Sequence, residues 1–266
     1  MIAYLVKHWS FILKVFNNKI IGAFNFLLAL LVFLAFIIFI ISRIPASNFS
    51  FSFLAPYKQF IISGFLNTIL ISILTLFISL FIGFIIYLMV DNKIPYIRYF
   101  IKYFALIFNE IIFGSPLLVF ILIVYYFIGT AFNYENRFVL GLSAISLYMA
   151  PYMTNLFKGA ISSIGEEQHL ASKVFGFNSF QKYRYIILPQ ISKIILPPLA
   201  GNLSFIVKGS ALINVIGYRE LFYAIATAQS RTYAFTEGYI LMLLLYLLIT
   251  IPLIRLTAYL ERKVSL

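Results

Sequence analysis

Six long apolar stretches constrain this chain more than any other feature of its sequence. They cover about residues 21–42, 60–90, 103–128, 138–157, 194–215 and 238–258. A helix needs roughly 20 apolar residues to cross the hydrocarbon core of a bilayer, so each stretch can span a membrane. The chain is 63% hydrophobic and 11% charged, whereas soluble domains average roughly 45–50% and about 25%. We therefore predict an all-α, polytopic membrane protein with about six transmembrane helices.

The first stretch is expected to remain as an extra transmembrane helix, because it is too long for a cleaved signal peptide and no A-x-A site follows it. We expect residues 1–59 to hold a cytoplasmic N-terminal segment and this helix. Residues 60–258 are expected to form the transmembrane core, and residues 259–266 a cytoplasmic tail.

The distribution of basic residues predicts the orientation, because Lys and Arg collect in cytoplasmic loops. With the N-terminus inside, 14 of the 20 Lys and Arg residues fall on the cytoplasmic side and 5 on the opposite side. Both termini and the loop of residues 158–193 are therefore predicted to be cytoplasmic.

This cytoplasmic loop carries signals for two short helices. Ser163 and Glu166 have the spacing of an S-x-x-E capping box, which begins a helix. The helix is expected to end at Gly176, which adopts a left-handed conformation without steric cost. Asn178 predicts the start of a second helix, which should end before Pro189.

The first of these helices has an apolar face, with Ile164, Ala171, Val174 and Phe175 expected to lie on one side. The pattern alone fits two arrangements. One is a knob that enters a groove on a soluble partner, and the other is a helical hairpin that rests on lipid headgroups.

The loop resembles the EAA loop of bacterial ATP-binding-cassette (ABC) import permeases. The family pattern is E-A-A, three residues, G, nine residues and I-x-L-P. This chain has Leu170-Ala171-Ser172, Gly176 and Ile186-Ile187-Leu188-Pro189 at the same spacing, with Leu170 and Ser172 as departures. The resemblance implies that about residues 160–190 form the cytoplasmic coupling segment. Its contacts with an ATPase subunit would be made by Glu167, Leu170, Ala171, Ser172, Phe175 and Gly176.

Further motifs over about residues 60–258 resemble the polar amino-acid branch of these permeases. They are Glu110 with Gly114-Ser115-Pro116-Leu117-Leu118-Val119, Tyr152 with Lys158-Gly159-Ala160-Ile161, Tyr183-Arg184-Tyr185-Ile186-Ile187-Leu188-Pro189-Gln190, Leu196-Pro197-Pro198-Leu199, and Lys208-Gly209-Ser210-Ala211-Leu212. The resemblance implies a type I ABC importer permease fold with a five-helix core, which the first stretch precedes.

Three positions depart from this branch. Phe113 stands where the family usually has arginine, Phe120 where glutamine is common, and Asn155 where glutamate is common. If those family residues line the pathway, this subunit has a poorer substrate site than most. It would then be the less substrate-engaging half of a heterodimer.

Polar residues inside the apolar stretches are the candidates for a substrate pathway. Glu110 is expected roughly 10–15 Å into the third span, where an ionised group costs about 2.5–3.5 kcal/mol. Its partner is either the ammonium of a substrate or a neighbouring helix. Lys208 would bind a substrate carboxylate, pair with an acid or extend towards the headgroups. Gly114-Ser115-Pro116 should bend the third span. The full candidate set is Glu110, Ser115, Pro116, Tyr152, Asn155, Lys208 and Ser210.

Catalytic and metal chemistry is not expected of this chain. His8 and His169 have no other metal-ligating residue at a suitable spacing, and the chain contains no Cys. It also has no G-x-x-x-x-G-K-[ST] phosphate loop. We therefore expect a transport subunit, not an enzyme, with no cofactor of its own and with ATP used by a partner.

The resemblance implies a multi-pass permease of an amino-acid importer in the bacterial cytoplasmic (inner) membrane. Its implied partners are an ABC ATPase dimer, a second permease subunit, identical or different, and an extracytoplasmic solute-binding protein, with membrane lipid around it and no nucleic acid. Two alternatives come from other classes. A secondary transporter or channel would work without an ATPase. An integral membrane enzyme would need several converging acids or histidines, and only Glu110 and Lys208 are available.

Overall fold

The computed structural model describes residues 19–43, 50–90 and 95–264, which are helical almost throughout. The described residues belong to two units, with the boundary between Ser50 and Phe51. The expected cytoplasmic N-terminal segment, including His8, lies outside the described residues, as do residues 265–266 of the expected tail.

The described part of the first unit contains one helix, α1 (Lys19–Ser42), which covers the first apolar stretch of the sequence. Phe, Leu, Ile and Val occur on all sides of it, and almost all of its described side chains are exposed. A helix that is apolar all round is suited to a lipid environment.

The described part of the second unit contains eight longer α-helices and one three-residue α-helix. A 3-10 segment, Phe51–Tyr57, leads into α2 (Lys58–Val90). It is followed by α3 (Pro95–Gly114), α4 (Leu117–Ile123) with a π-helical extension Val124–Gly129, α5 (Arg137–Ser162) and α6 (Glu166–Val174). The three-residue helix, Ser179–Gln181, and a π-helical segment, Lys182–Ile187, lead into α7 (Leu188–Ser210) and the 3-10 segment Ala211–Ile216. The unit ends with α8 (Leu221–Thr232) and α9 (Phe235–Val264).

The core is centred on α5, which packs mainly against α2, α4 and α7. The backbones of α2 and α5 come very close at Gly83, where an added Cβ would lie 2.5 Å from the Cβ of Met153. The hydroxyl of Thr154 also donates a hydrogen bond to the carbonyl of Gly83 at 3.1 Å. Close approach through small residues is a common way for transmembrane helices to pack.

Four helical segments of the described chain are long and apolar enough to cross a membrane: Gly22–Phe39, Phe51–Val90, Lys182–Ile216 and Phe235–Lys263. The bent pair Tyr99–Gly114 and Leu117–Gly129 counts as a fifth if it forms one span. The sequence predicts about six spans. The predicted span at residues 138–157 lies in α5, which is not among these candidate segments. Because other helices cover α5, its outer surface does not need the apolar character of a lipid-facing helix.

The third predicted span, residues 103–128, is not one helix. The expected bend at Gly114-Ser115-Pro116 is present and large, since α3 and α4 differ in direction by 116°. Pro116 precedes α4 in an extended conformation with ψ 136°. A proline removes a backbone donor and disfavours helical geometry in the residue before it, so α3 cannot continue directly into α4.

Candidate functional site

Helix α6 stands at one end of the second unit, between the end of α5 and the start of α7. The predicted capping box at Ser163 is wrong, because Gly165 is the residue that precedes α6. Helix α5 runs to Ser162, so Ser163 stays in its last turn, and its hydroxyl donates to the carbonyl of Ala160 at 2.7 Å. Glu166 and Glu167 do lie in the first turn of α6, where carboxylates complement the helix dipole.

The predicted end of α6 is confirmed. Gly176 has φ +72°, which is the left-handed conformation expected for it. The N–H of Phe177 donates to the carbonyl of Ser172 at 3.0 Å, and the N–H of Gly176 donates to that of Lys173 at 3.0 Å. This pair of bonds is a Schellman motif, which fixes the direction in which the chain leaves the helix.

Three apolar side chains are exposed on α6 and at its C-terminal end. Leu170 is 56% exposed, Val174 86% and Phe175 77%; we call these three residues the coupling face. Glu167, Ala171 and Gly176 are also exposed, whereas Ser172 is buried on the inner side.

The prediction that Ile164 shares the exposed apolar face is wrong. Ile164 is buried in a cluster with Ala160, Ile187, Ile191 and Ile195. It precedes α6, so it does not follow the helical periodicity that places Val174 and Phe175 outside. Its role is to fix the base of α6 against α5 and α7.

The second short helix begins as predicted. The N–H of Gln181 donates to Oδ1 of Asn178 at 2.8 Å, and the N–H of Asn178 donates to Oε1 of Gln181 at 3.0 Å. The predicted end before Pro189 is wrong, because the helix continues through Lys182–Ile187 into α7. Pro189 lies in the first turn of α7, where its missing N–H costs little.

One side chain links α6 directly to α7. Nε2 of Gln190 donates to Oε1 of Gln168 in α6 at 2.6 Å and to the carbonyl of Ile186 in the π-helical segment at 2.8 Å. These hydrogen bonds therefore connect α6 to the start of α7.

A cluster of aromatic rings lies where α3, α4, α5 and α7 meet. The Tyr152 ring is 5.0 Å from Phe113, 6.2 Å from Tyr148 and 6.3 Å from Phe205, measured between centroids. Phe120 lies 5.9 Å from Tyr148. Two departures from the family, Phe113 and Phe120, thus belong to this aromatic cluster.

Three candidate pathway residues are exposed beside the aromatic cluster. Glu110 precedes Phe113 by three residues, Asn155 follows Tyr152 by three, and Lys208 follows Phe205 by three. Residues three apart lie on the same side of a helix. The structure therefore brings the polar candidates of α3, α5 and α7 to the edges of one aromatic surface.

The other pathway candidates lie at or behind the break between α3 and α4. Pro116 precedes α4, and the carbonyl of Ser115 accepts a hydrogen bond of 3.0 Å from the hydroxyl of Tyr148. Ser210 is buried and donates to the carbonyl of Val207 at 2.8 Å, so it points away from the exposed polar residues.

Tyr148 is a functional candidate that the sequence analysis missed. The available signal was its spacing, since Tyr148 and Tyr152 are four residues apart and so place two ring hydroxyls on one side of a single helix.

Glu220 is a further candidate, and its hydrogen-bond partners are visible only in the structure. It is fully buried, and its carboxylate accepts hydrogen bonds from the N–H groups of Phe222 at 2.8 Å and Tyr223 at 2.7 Å and from the Tyr246 hydroxyl at 2.9 Å. Burial raises the pKa of Glu220 to about 7, although these donors lower it. Glu220 thus caps α8 and joins it to α9.

Comparison with known proteins identifies the family. Residues 96–266, more than half of the chain, match the model of the binding-protein-dependent transport system inner membrane component family. The chain is 31% identical over 190 residues to the probable amino-acid ABC transporter permease protein YckA of Bacillus subtilis, covering 70% of this chain and 81% of the relative. It is 28% identical over 164 residues to the glutamine transport system permease protein GlnP of Escherichia coli, covering 61% and 75%.

Solved structures agree with this fold. An amino acid ABC transporter with histidines superposes with a TM-score of 0.71 and 28% identity, covering 81% of this chain and 99% of the other. The inward-facing MetNI methionine ABC transporter has a TM-score of 0.63 at 16% identity, covering 79% and 98%, and this second likeness bears on the fold alone. The all-α polytopic permease fold and the resemblance to ABC import permeases are both confirmed, and the chain belongs to the binding-protein-dependent transport system inner membrane component family.

Proposed function

We propose that this chain forms part of the translocation pathway of an ATP-driven amino-acid importer and receives the movement of an ATPase subunit through α6. The observation that carries the proposal is the coupling face. Leu170 and Val174 of α6, and Phe175 directly after it, are exposed. Gln168 of α6 is hydrogen bonded to Gln190 of α7, and Ile164, just before α6, is buried against Ile187 and Ile191. An exposed apolar surface on a short rigid helix is suited to a groove on a soluble partner.

Two connections would carry a push from α6 into the membrane-spanning helices. The hydrogen bond between Gln190 and Gln168 joins α6 to the start of α7. The buried contacts of Ile164 with Ile187 and Ile191 join the α5–α6 connection to the same region. Close packing transmits displacement because such interiors have low compressibility.

The proposed assembly contains two permease subunits, two ATPase subunits and an extracytoplasmic solute-binding protein. The ATPase subunits bind and hydrolyse ATP, and this chain holds no cofactor of its own. Closure of the ATPase dimer moves α6, which opens the pathway to the side where the binding protein releases its cargo. The excess of basic residues on one side, 14 against 5, supports an orientation with both termini and α6 in the cytoplasm.

The names of the relatives support an amino acid as the cargo. An amino acid at neutral pH carries an ammonium and a carboxylate, and this chain exposes Glu110 and Lys208 beside the aromatic cluster. Glu110 would receive the ammonium, Lys208 the carboxylate, and the amide of Asn155 would accept or donate a hydrogen bond. The rings of Phe113 and Phe205 would form the apolar wall of the same passage.

Co-purification with an ABC ATPase subunit from the same organism tests the coupling face. Phe175→Asp and Val174→Asp place a charge on the coupling face and should abolish co-purification. Phe180→Asp is the matched control, because Phe180 is 74% exposed but follows the Gly176 turn and is not part of the coupling face. Equal recovery of the ATPase with all three variants would reject the coupling role of α6.

Glu110→Gln tests the pathway, because it keeps the shape of the side chain and removes the charge. If Glu110 receives the ammonium, uptake into liposomes containing the whole complex should fall roughly tenfold or more, since a hydrogen bond to a charged group is worth about 1.5–3 kcal/mol. The basal ATPase rate should be unchanged. Uptake within twofold of the parent would remove Glu110 from the pathway.

A further inference from the structure

We propose that Tyr233 and Arg231 form an anchor for the solute-binding protein, on the face of the second unit opposite α6. The inference rests on the proposed function, because it needs a binding protein that delivers cargo to this side. It concerns a different surface from the coupling face and from the aromatic cluster.

The position of α8 follows from its contacts with α2. Nδ2 of Asn67 donates to the carbonyl of Arg219 at 2.8 Å, and the N–H of Leu221 donates to the hydroxyl of Thr68 at 3.0 Å. Both partners lie in the first part of α2. The last part of α2 packs near α6, where Phe84 meets Phe157 at 5.1 Å. Helix α8 therefore lies at the end of the bundle away from α6.

Both ends of α8 are held by buried polar side chains. Glu220 caps its first turn and accepts a hydrogen bond from Tyr246 of α9. At the other end Gln229 is 2% exposed and its Nε2 donates to the carbonyl of Phe235 at 3.0 Å. Gly238 leaves room for the Gln229 side chain, because any Cβ at that position would collide with it. The turn from α8 to α9 is therefore rigidly placed.

Tyr233 stands in this turn in an unfavourable backbone conformation. Its φ is 59° and its ψ is 14°, and its N–H donates to the carbonyl of Gln229 at 2.8 Å. Glycine or asparagine normally fills such a left-handed position after a helix, and a bulky residue there is an outlier. A glycine would make the same turn without strain.

The ring of Tyr233 makes little contact with the rest of its own chain. It is 82% exposed and touches Phe235 only edge-on, with ring centroids 6.5 Å apart. A strained backbone that presents an exposed aromatic ring is explained by a contact outside the chain. Strained residues of this kind cluster at functional positions, and Tyr and Arg are the residues that most often dominate binding surfaces.

The exposed charges at the end of the second unit opposite α6 indicate what kind of protein would bind there. Among the described residues of the second unit, four exposed cations lie at the end opposite α6, namely Lys58, Arg137, Arg219 and Arg231, against one exposed acid, Glu135. Such a basic face attracts a protein with an acidic surface. The family description names a binding protein as the component on which the system depends, so we commit to an acidic lobe of that protein as the occupant.

Affinity measurements on the assembled transporter test the anchor. The permease and its ATPase are placed in lipid nanodiscs and titrated with a solute-binding protein from the same organism. Tyr233→Gly should weaken binding roughly tenfold or more, with an unchanged basal ATPase rate and an unchanged or higher melting temperature. Tyr233→Phe should bind like the parent, and Arg231→Glu should slow association and reduce its dependence on salt.

Asn133→Gly is the matched control for the backbone effect, because Asn133 is the other non-glycine residue of the described chain with positive φ, at 50°. It should leave the affinity unchanged. Binding by Tyr233→Gly within twofold of the parent would overturn the anchor while leaving the proposed function intact. A complex that fails to assemble with its ATPase would instead contradict the proposed function.

A second measurement separates a protein partner from the bilayer, where Tyr is also enriched at the water interface. The chain contains no cysteine, so Tyr233→Cys accepts a single spin label before the other subunits are added. The anchor predicts a label that is accessible to a water-soluble relaxation agent and becomes protected when the solute-binding protein is added. A label accessible to oxygen in the lipid, and unaffected by that protein, would overturn the inference.

Discussion

The hydroxyl of Tyr148 in α5 donates a hydrogen bond of 3.0 Å to the carbonyl of Ser115, at the point where α3 breaks and turns into α4. A broken helix at membrane depth leaves backbone groups without partners, and each must be satisfied by a neighbouring helix or by water. Tyr148 therefore holds the break in place and also forms one side of the aromatic cluster.

Tyr148→Phe should destabilise the break, because it removes the hydrogen bond to the half-buried Ser115 carbonyl. We expect a loss of about 1 kcal/mol in the free energy of unfolding and a clear reduction in transport. Thermal unfolding of the purified complex and uptake by liposomes measure the two effects. Tyr259→Phe, at an exposed tyrosine of α9, should change neither value. A Tyr148→Phe variant as stable as this control would show that the bond is dispensable.

Most of the fold follows from local properties of the sequence. The apolar stretches predict helices, and Gly176 and Asn178 mark helix boundaries because their backbone geometry and hydrogen bonds are local. Sequence patterns do not define helix boundaries where tertiary packing decides. The S-x-x-E spacing at Ser163 does not begin a helix, because α5 extends further than its apolar stretch. Pro189 does not end the second short helix, because the π-helical segment Lys182–Ile187 connects that helix to α7, and Pro189 lies in the first turn of α7.

Gly176→Ala should distort the end of α6, because φ +72° is unfavourable for any residue with a Cβ. No atom lies within 4 Å of the position of that Cβ, so the expected cost of about 1–2 kcal/mol comes from the backbone alone. ATPase activity should become less dependent on the solute-binding protein. Gly165→Ala is the matched control, because Gly165 also has free space but φ −57°. Equal behaviour of both variants would contradict a role for the left-handed turn.

Gly83→Ala should disrupt the contact between α2 and α5. Its Cβ would lie 2.5 Å from the Cβ of Met153 and 2.8 Å from the carbonyl oxygen of Ala150, so the helices must separate. Overpacking of this kind typically costs about 1–3 kcal/mol, which a lower melting temperature would reveal. Gly201→Ala in α7, where no atom lies within 4 Å, should be neutral or stabilising. Stability of Gly83→Ala equal to that of Gly201→Ala would show that the two helices are not closely packed.

Glu220 should make stability depend on pH. Burial raises its pKa from 4.5 to about 7, so the folded state holds a proton that the unfolded state releases at lower pH. The stabilising contribution is fully present below about pH 4.5 and is lost as the pH rises through about 7. Melting temperatures recorded between pH 5 and pH 8 should therefore fall, and Glu220→Gln should flatten this slope. Glu135→Gln, at an exposed site, should keep the slope of the parent; a slope that survives in Glu220→Gln would assign it to another group.

The candidate site could be predicted only in part, because sequence spacing relates residues within a helix but not between helices. The spacing of Leu170, Ala171, Gly176 and Pro189 is enough to locate the coupling segment. It does not reveal that Phe113 of α3 meets Tyr152 of α5, or that Glu220 caps α8 against Tyr246. Those contacts depend on how the helices pack. The left-handed backbone conformation of Tyr233 likewise cannot be predicted from its sequence position.

ATP-dependent uptake by purified components tests whether this chain is the permease of an ATP-driven amino-acid importer. Liposomes would contain this chain, its second permease subunit if the two differ, and the ATPase, with the solute-binding protein and labelled amino acids, including glutamine and arginine, outside. A labelled amino acid should accumulate only when ATP and the ATPase are both present, and accumulation should be lost with Phe175→Asp. Accumulation by the permease alone in response to an ion gradient, without ATP or the ATPase, would show that the chain is not the permease of an ATP-driven importer.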